Sequence, residues 1–195
     1  MGLPTFAVVD LETSGTSTRW HRILQIGLVR VHADGTVLDS WETRVKLRWP
    51  LQRVGPTHVH GLRRRDLRDA PALDAVLEEL SERLDGSLFT AHNAAFDGGF
   101  LLRAGRKRPS LLSHRVTPGL CTLRMSRRLD PERLQSHRLN DLCARYGVPL
   151  ERPHEALADA TATAQVLPHL LRAHGISEPS QLEPFYERSL AQLVA

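Results

Sequence analysis

At 195 residues, 41% hydrophobic and 25% charged, the chain is long enough for one domain with a sizeable core and a tight fit for two. Its 26 lysines and arginines against 22 acids give a formal charge of +4, which leans towards a polyanionic partner, and its two cysteines, Cys121 and Cys143, have no C-x-x-C spacing, so no disulfide framework or zinc site is suggested. No apolar run approaches the roughly 18 to 20 residues of a bilayer span, and no charged and apolar leader opens the chain, so a soluble, cytoplasmic protein with no membrane partner is expected.

The first element is Phe6-Ala7-Val8-Val9-Asp10-Leu11-Glu12-Thr13, a run of apolar β-formers ending in two acids two residues apart. On a strand that spacing sets both carboxylates on one face, where they repel each other and resist burial. A divalent cation would relieve both effects, and hard carboxylate oxygens suit Mg²⁺ or Mn²⁺ better than zinc. Taken alone, so short a pair reads as a strand that simply ends with solvated acids, and it is the rest of the chain that shifts this reading. Thr13 to Arg22 is polar and reads as a loop passing close to the acids. Ile23 to His32 and Thr36 to Leu47 read as two strands joined by Ala33-Asp34-Gly35, a hairpin signal.

Pro50 to Arg68 has no periodicity and forms a long connection, a place where function concentrates. From Ala70 the period becomes helical, with Asp69 expected to cap the start and Gly86 to mark the end. Ser87 to Ala91 is a short strand running directly into a helix that carries Asp97 near its start. Val116-Thr117 reads as a further short strand, Leu120 to Leu129 as a helix, and Leu139 to Tyr146 as another, stopped by Gly147. Glu155 to Ala173 is helical, with Pro168 expected to kink it or end it early. The tail from Ile176 has a helix expected over Phe185 to Val194, and the organisation expected is a domain over 1–175 with a short tail over 176–195. Strands first, then strands alternating with helices, predict an α/β domain with a mixed sheet and helices on its faces, whose strand ends bring Asp10, Glu12 and Asp97 to one edge.

Three separated motifs stand out together: Asp10-Leu11-Glu12-Thr13, His92-Asn93-Ala94-Ala95-Phe96-Asp97, and His154-Glu155-Ala156-Leu157-Ala158-Asp159. In order, type and spacing they resemble the three motifs of the DEDDh exonucleases, the family that includes the proofreading epsilon subunit of bacterial DNA polymerase III. The resemblance covers roughly residues 5 to 173 and takes in Ile26-Gly27 and His60-Gly61-Leu62. It implies a ribonuclease H-like, mixed five-stranded sheet with helices on both faces. The activity it implies is 3′-to-5′ exonuclease action on single-stranded or frayed DNA, releasing nucleoside 5′-monophosphates, with RNA as the alternative substrate and a DNA polymerase subunit as a partner. By the same resemblance Asp10, Glu12, Asp97 and Asp159 hold two Mg²⁺ or Mn²⁺ ions and His154 is the general base. His154 lies five residues before Asp159, which is the histidine-type spacing. Gln25, Ser14 and Pro118-Gly119 depart from the residues common in the family.

Such a site suits phosphodiester hydrolysis, which needs charge neutralisation at the phosphate and a base working near neutral pH. Leu11, Thr13, Ser14, His60 and Asn93 are the candidate substrate contacts: Thr13 and Ser14 for the terminal sugar, Leu11 as a wedge between bases, and His60 near the terminal nucleotide. Asn93 serves equally as a helix cap, and His60 as a plain loop histidine. His92 and Phe96 read as packing residues. Trp20, Trp41 and Trp49 are candidates for stacking, with packing as the default. Three basic clusters, around Arg63, Arg106 and Arg127, are candidate phosphate contacts. The reading from another class is a non-catalytic nucleic-acid-binding domain accessory to a polymerase.

Overall fold

The first strand, β1 (Thr5–Thr13), takes the centre of the sheet because it is apolar towards both sides. Phe6 and Val8 enter one cluster of buried side chains, and Ala7, Val9 and Leu11 enter another on the opposite face. A strand covered on both faces can occupy only an interior position. The computed structural model describes residues 2–49 and 51–192. β2 (Ile23–Val31) pairs antiparallel with β1, and β3 (Val37–Arg44) pairs antiparallel with β2 through the expected hairpin, where Gly35 takes φ +95°. β4 (Ser87–Ala91) and β5 (Leu120–Cys121) add in parallel, giving the order β3-β2-β1-β4-β5.

The long connection holds one short helix, α1 (Thr57–His60), and a 3-10 turn over Arg64–Leu67. Helices α2 (Leu73–Leu84), α3 (Ala94–Ala104) and α4 (Pro109–Val116) cover the face reached by Val9 and Leu11. Helices α5 (Thr122–Leu129), α6 (Leu139–Tyr146) and α7 (Ala156–Ala173) cover the face reached by Phe6 and Val8. The helices therefore flank a mixed sheet on both sides, as expected. No helix among the described residues is long and apolar enough to cross a membrane.

Several boundaries differ from expectation for identifiable reasons. The Pro71 carbonyl accepts the Lys46 amide, so the chain stays extended there and α2 starts only after Ala72, which leaves Asp69 outside as no cap. Gly86 does follow the helix end, at φ +68°. Val116 closes α4, a helix opened by Pro109 at its first position, so Val116-Thr117 is not a strand. The strand lies instead at Leu120–Cys121, taken from the start of the helix expected there. Helix α7 runs through Pro168 to Ala173 and does not end early. Beyond it, a 3-10 segment Pro179–Phe185 and α8 (Ser189–Gln192) bury Leu182, Phe185 and Leu190 against the domain; the part of the expected tail helix at 193–194 lies outside the described residues. Both cysteines are buried thiols.

One residue of β2 fixes how the two layers meet. Gly27 lies opposite Asp10, and a Cβ at Gly27 would collide with the backbone of Ala156 and Leu157. The start of α7 therefore sits directly on the β1–β2 pair, which a glycine alone permits. Gly27→Ala is expected to cost about 1–3 kcal/mol by overpacking, a fall in Tm of roughly 2–12 °C measurable by thermal denaturation; an unchanged Tm would mean that α7 is free to move away.

Candidate active site

Asp10 and Glu12 continue the face of β1 that carries Phe6 and Val8, so both carboxylates emerge beneath the start of α7. Asp10 lies opposite Gly27, where the missing side chain leaves α7 close, and Glu12 lies opposite Gln25. Gln25 is itself buried, and its amide donates to Glu42 at 2.8 Å, so this departure from the family pattern puts a neutral group beside Glu12. The last β1–β4 pair is Val8 with Thr90, which leaves the Leu11 amide without a strand partner on that side. Asp97, in the first turn of α3, fills the gap: its Oδ1 accepts the Leu11 N–H at 3.2 Å. The sheet edge thus orients a third carboxylate towards the first two.

The fourth comes from α7. Asp159 is buried, its Oδ2 accepts the His154 amide at 3.1 Å, and its Oδ1 is buried without a partner. His154 stands exposed just before the helix at φ +66°, a left-handed conformation that costs an ordinary residue energy. The bond from its own amide to Asp159 helps to hold that turn. Ligand atoms of Glu12, His154 and Asp159 all lie within 4.8 Å of one another.

Burial, with Asp97, Asp159 and Glu12 as like charges around it, raises Asp10 well above the ordinary carboxyl range. Burial and the charges of Asp159 and Asp97 push Glu12 up to about 8. Asp97 also rises to about 8, because burial and the Asp159 charge outweigh the stabilising amides of Asp97 and Leu11. Asp159 is raised by burial, against the pull of the His154 amide and ring. Four carboxyls held near one another with their charged forms disfavoured, and one oxygen unpartnered, fit a divalent cation bound among Asp10, Glu12, Asp97 and Asp159.

The remaining predicted residues fall at varied distances from solvent. Leu11 is buried in the core, and Thr13 and Ser14 are buried with hydroxyls engaged, Thr13 donating to the Gly15 carbonyl at 2.8 Å and Ser14 accepting the Arg22 amide at 3.0 Å. His60 is buried, with Nδ1 accepting the Leu62 amide at 3.1 Å and Nε2 facing the Val54 carbonyl at 3.2 Å. Both ring nitrogens are spent on the loop, so this histidine shapes the long connection. Asn93 precedes α3 with an exposed side chain that makes no cap bond; its carbonyl accepts the Phe96 and Asp97 amides. His92 packs, its ring between Thr122 Oγ1 and the His137 carbonyl, and burial pushes its pKa down to about 4.

Sequence reasoning missed Gly55, at φ +86°, where a Cβ would strike the Ser14 backbone. An isolated glycine in a loop was the available signal. It also missed a chain of three side chains, Ser126 Oγ to His137 Nδ1 at 2.8 Å and His137 Nε2 to Asp130 Oδ2 at 3.2 Å. Ser126 is buried, so no substrate reaches its hydroxyl and the chain ties the 130–137 loop to α5.

A mixed sheet in the order β3-β2-β1-β4-β5, with acids at the ends of β1 and at the first turns of two helices, defines a ribonuclease H-like domain. The exonuclease family RNase_T matches residues 7–167, and the chain belongs to that family. DNA polymerase III PolC-type of Staphylococcus aureus is 36% identical over 169 residues, covering 83% of this chain and 11% of the relative, so the chain spans about a ninth of that protein's length. The PolC-type polymerase of Staphylococcus epidermidis matches to the same extent. Among solved structures, E. coli exonuclease I in complex with a dT13 oligonucleotide superposes with TM-score 0.74 at 19% identity, over 86% of this chain and 41% of that one. A 3′-exonuclease that recognises the 3′ end of a histone mRNA stem-loop gives 0.74 at 12%, over 91% of this chain and 85% of that one. The family and fold expected from the sequence are borne out.

The raised carboxyls set the pH response of the metal-free protein. Between their unfolded values near 4 and folded values near 8 the folded state binds more protons, so stability falls as pH rises through that window. Asp10→Asn removes one of the clustered charges and is expected to raise the Tm of the EDTA-treated protein at the upper end of the window by several degrees, on the order of 1–3 kcal/mol. A lowered Tm in a melting scan would show that the acids do not repel in the folded chain.

Proposed function

We propose that this exonuclease domain hydrolyses phosphodiester bonds from the 3′ end of single-stranded or frayed DNA and releases nucleoside 5′-monophosphates. The observation that supports it most is the convergence of Asp10, Glu12, Asp97 and Asp159, drawn from three separate segments, with His154 beside Asp159. In this reading the four acids hold two Mg²⁺ or Mn²⁺ ions, which when bound would neutralise charge on the scissile phosphate and on the leaving oxygen. His154 takes the proton of the attacking water; its exposure lets that proton pass on to solvent. The Asp159 carboxylate beside it steadies the imidazolium that results. The end of β1 and the turn after it receive the terminal nucleotide, with Thr13 and Ser14 at its sugar, Leu11 beside its base and Asn93 reaching the strand from across the site. His60 acts through the loop it holds.

Residues 1–175 form the catalytic domain in this reading, with the following segment as a brace for the sheet. The PolC-type relatives support a polymerase-linked setting, and proofreading is the role that setting suggests. RNA is the second reading, favoured by the equal superposition on the mRNA stem-loop 3′-exonuclease.

With 5′-labelled DNA and RNA oligonucleotides, Mg²⁺ or Mn²⁺ is expected to give a ladder shortening from the 3′ end, abolished by EDTA and by Asp10→Ala, and the faster polymer names the substrate. His154→Gln is expected to lower kcat about 10²- to 10⁴-fold. His154→Gly, which relieves the left-handed backbone, is expected to be equally slow; recovered activity in the glycine variant would assign His154 a backbone role only. Cleavage within the strand, or none with either metal, would overturn the exonuclease reading.

A further inference from the structure

Two clefts share one wall on the side of the sheet covered by α2 and α3. The smaller, about 340 Å³, starts at Ser14, immediately after the acid-bearing strand, and is lined by Trp20, Arg53 and Gly55. The larger, about 720 Å³, runs between the 45–49 segment and the C-terminal end of α3. His21, Arg22 and Gln52 line both, so the two form one trough that begins two residues beyond Glu12. Its outer wall is built deliberately. His60 holds the Val54 carbonyl, Arg64 bonds the Gln52 carbonyl, and Gly55 lets the loop lie directly on Ser14.

The trough is cationic, and most of its cations have no acidic partner among the described residues. Arg22, Lys46 and Arg48 stand on one side, and Arg103, Arg106 and Lys107 on the other. Among the described residues none of these six forms a salt bridge, whereas Arg108 at the end of the same wall pairs with Glu78, and Arg83 and Arg115 elsewhere on the surface are paired as well. Asp74 is the acid among the lining side chains of the larger cleft. Two tryptophans border the trough, Trp20 at 69% exposure and Trp49 at 59%, each with an arginine over its ring. Exposed tryptophan is costly without a partner, whereas Trp41, away from the trough, is packed against the core. Paired backbone charges and exposed aromatic faces are what a single-stranded nucleic acid requires, one for phosphates and the other for unstacked bases.

We infer that this trough holds the single strand upstream of the nucleotide being removed, with Arg103, Arg106 and Lys107 on its phosphates and Trp49 against a base. The inference rests on the exonuclease reading and adds to it the path of the substrate. From Asp97 to Arg103 the α3 axis advances about 9 Å, more than one step of an unstacked strand. The strand therefore engages the cationic wall only when it extends upstream of the two nucleotides that flank the scissile bond. Among the described residues none of these four side chains bonds to the four acids or His154, so the chemistry on the shortest substrate does not depend on them.

The test compares a thymidine dinucleotide with the single-stranded dodecanucleotide, for the wild type, Trp49→Ala, and the combined Arg103→Gln, Arg106→Gln, Lys107→Gln variant, with melting curves to verify folding. The wild type is expected to show a much lower KM on the longer substrate. Trp49→Ala is expected to raise that KM about 5- to 100-fold. The triple variant is expected to reduce the slope of log affinity against log salt by about 2, three phosphates at about 0.7 each. Dinucleotide hydrolysis should be unchanged in both. Folded variants that keep the wild-type length and salt dependence would overturn the trough, as would an equal loss on the dinucleotide. No dinucleotide or oligonucleotide hydrolysis by the wild type would overturn the exonuclease reading itself.

Discussion

Four acids that repel one another when ionised are held together at the end of one strand and the starts of two helices, and much of the surrounding structure serves to keep them there. Each is disfavoured as an anion by burial and by its neighbours, so the site is a local source of instability that the core must offset. The offset comes from β1, whose alternate residues are gripped by a helical layer on each face. A strand fixed on both sides cannot rotate to release Asp10 and Glu12 to water. Asp97 is fixed through the Leu11 amide, and Asp159 through the contact of α7 with Gly27 and the amide of His154. The functional consequence is a preformed cluster of acids whose ionised form a bound cation would stabilise.

The topology decides where such a site can lie. β1 pairs antiparallel with β2 on one side and parallel with β4 on the other, and β4 stops first. Beyond that point the sheet offers unpaired backbone, and two helix starts converge on it. This is the kind of strand-end crevice in which α/β sheets collect ligands. The long connection is pinned by His60 and by the close approach of Gly55 to Ser14, which turns an aperiodic stretch into one wall of the trough.

The strands and main helices were legible because their periodicities differ and because Gly86 and Gly147 stop helices where they stand. Three motifs were enough to point to one edge, and Asp10, Glu12, Asp97 and Asp159 do converge there. What the sequence hid was tertiary. Asp69 has the chemistry of a cap, but the Pro71 carbonyl is engaged with Lys46, and the helix begins late. Val116-Thr117 is β-branched in type yet closes a helix. Pro118-Gly119, a departure from the family pattern, leaves room for Leu190 against Phe89, and the Gly119 carbonyl takes the Glu187 amide. The short tail thus seals the far edge of the sheet, a role that no local pattern announces. His60 and the trough were obscured for the same reason: their partners lie in loops whose conformation depends on packing.

The central claim is that burial and mutual repulsion favour protonation in the empty acidic cluster and that bound divalent cations reverse this. Its most direct measurement is a pH-stat titration of the metal-free protein with Mn²⁺ near neutral pH, read beside binding stoichiometry. The account predicts two ions bound and a net release of protons as they bind, because Glu12 and Asp97 hold theirs up to about 8. Saturation by Mn²⁺ with no proton released, or binding undiminished when Asp10 and Asp159 are both changed to asparagine, would contradict it.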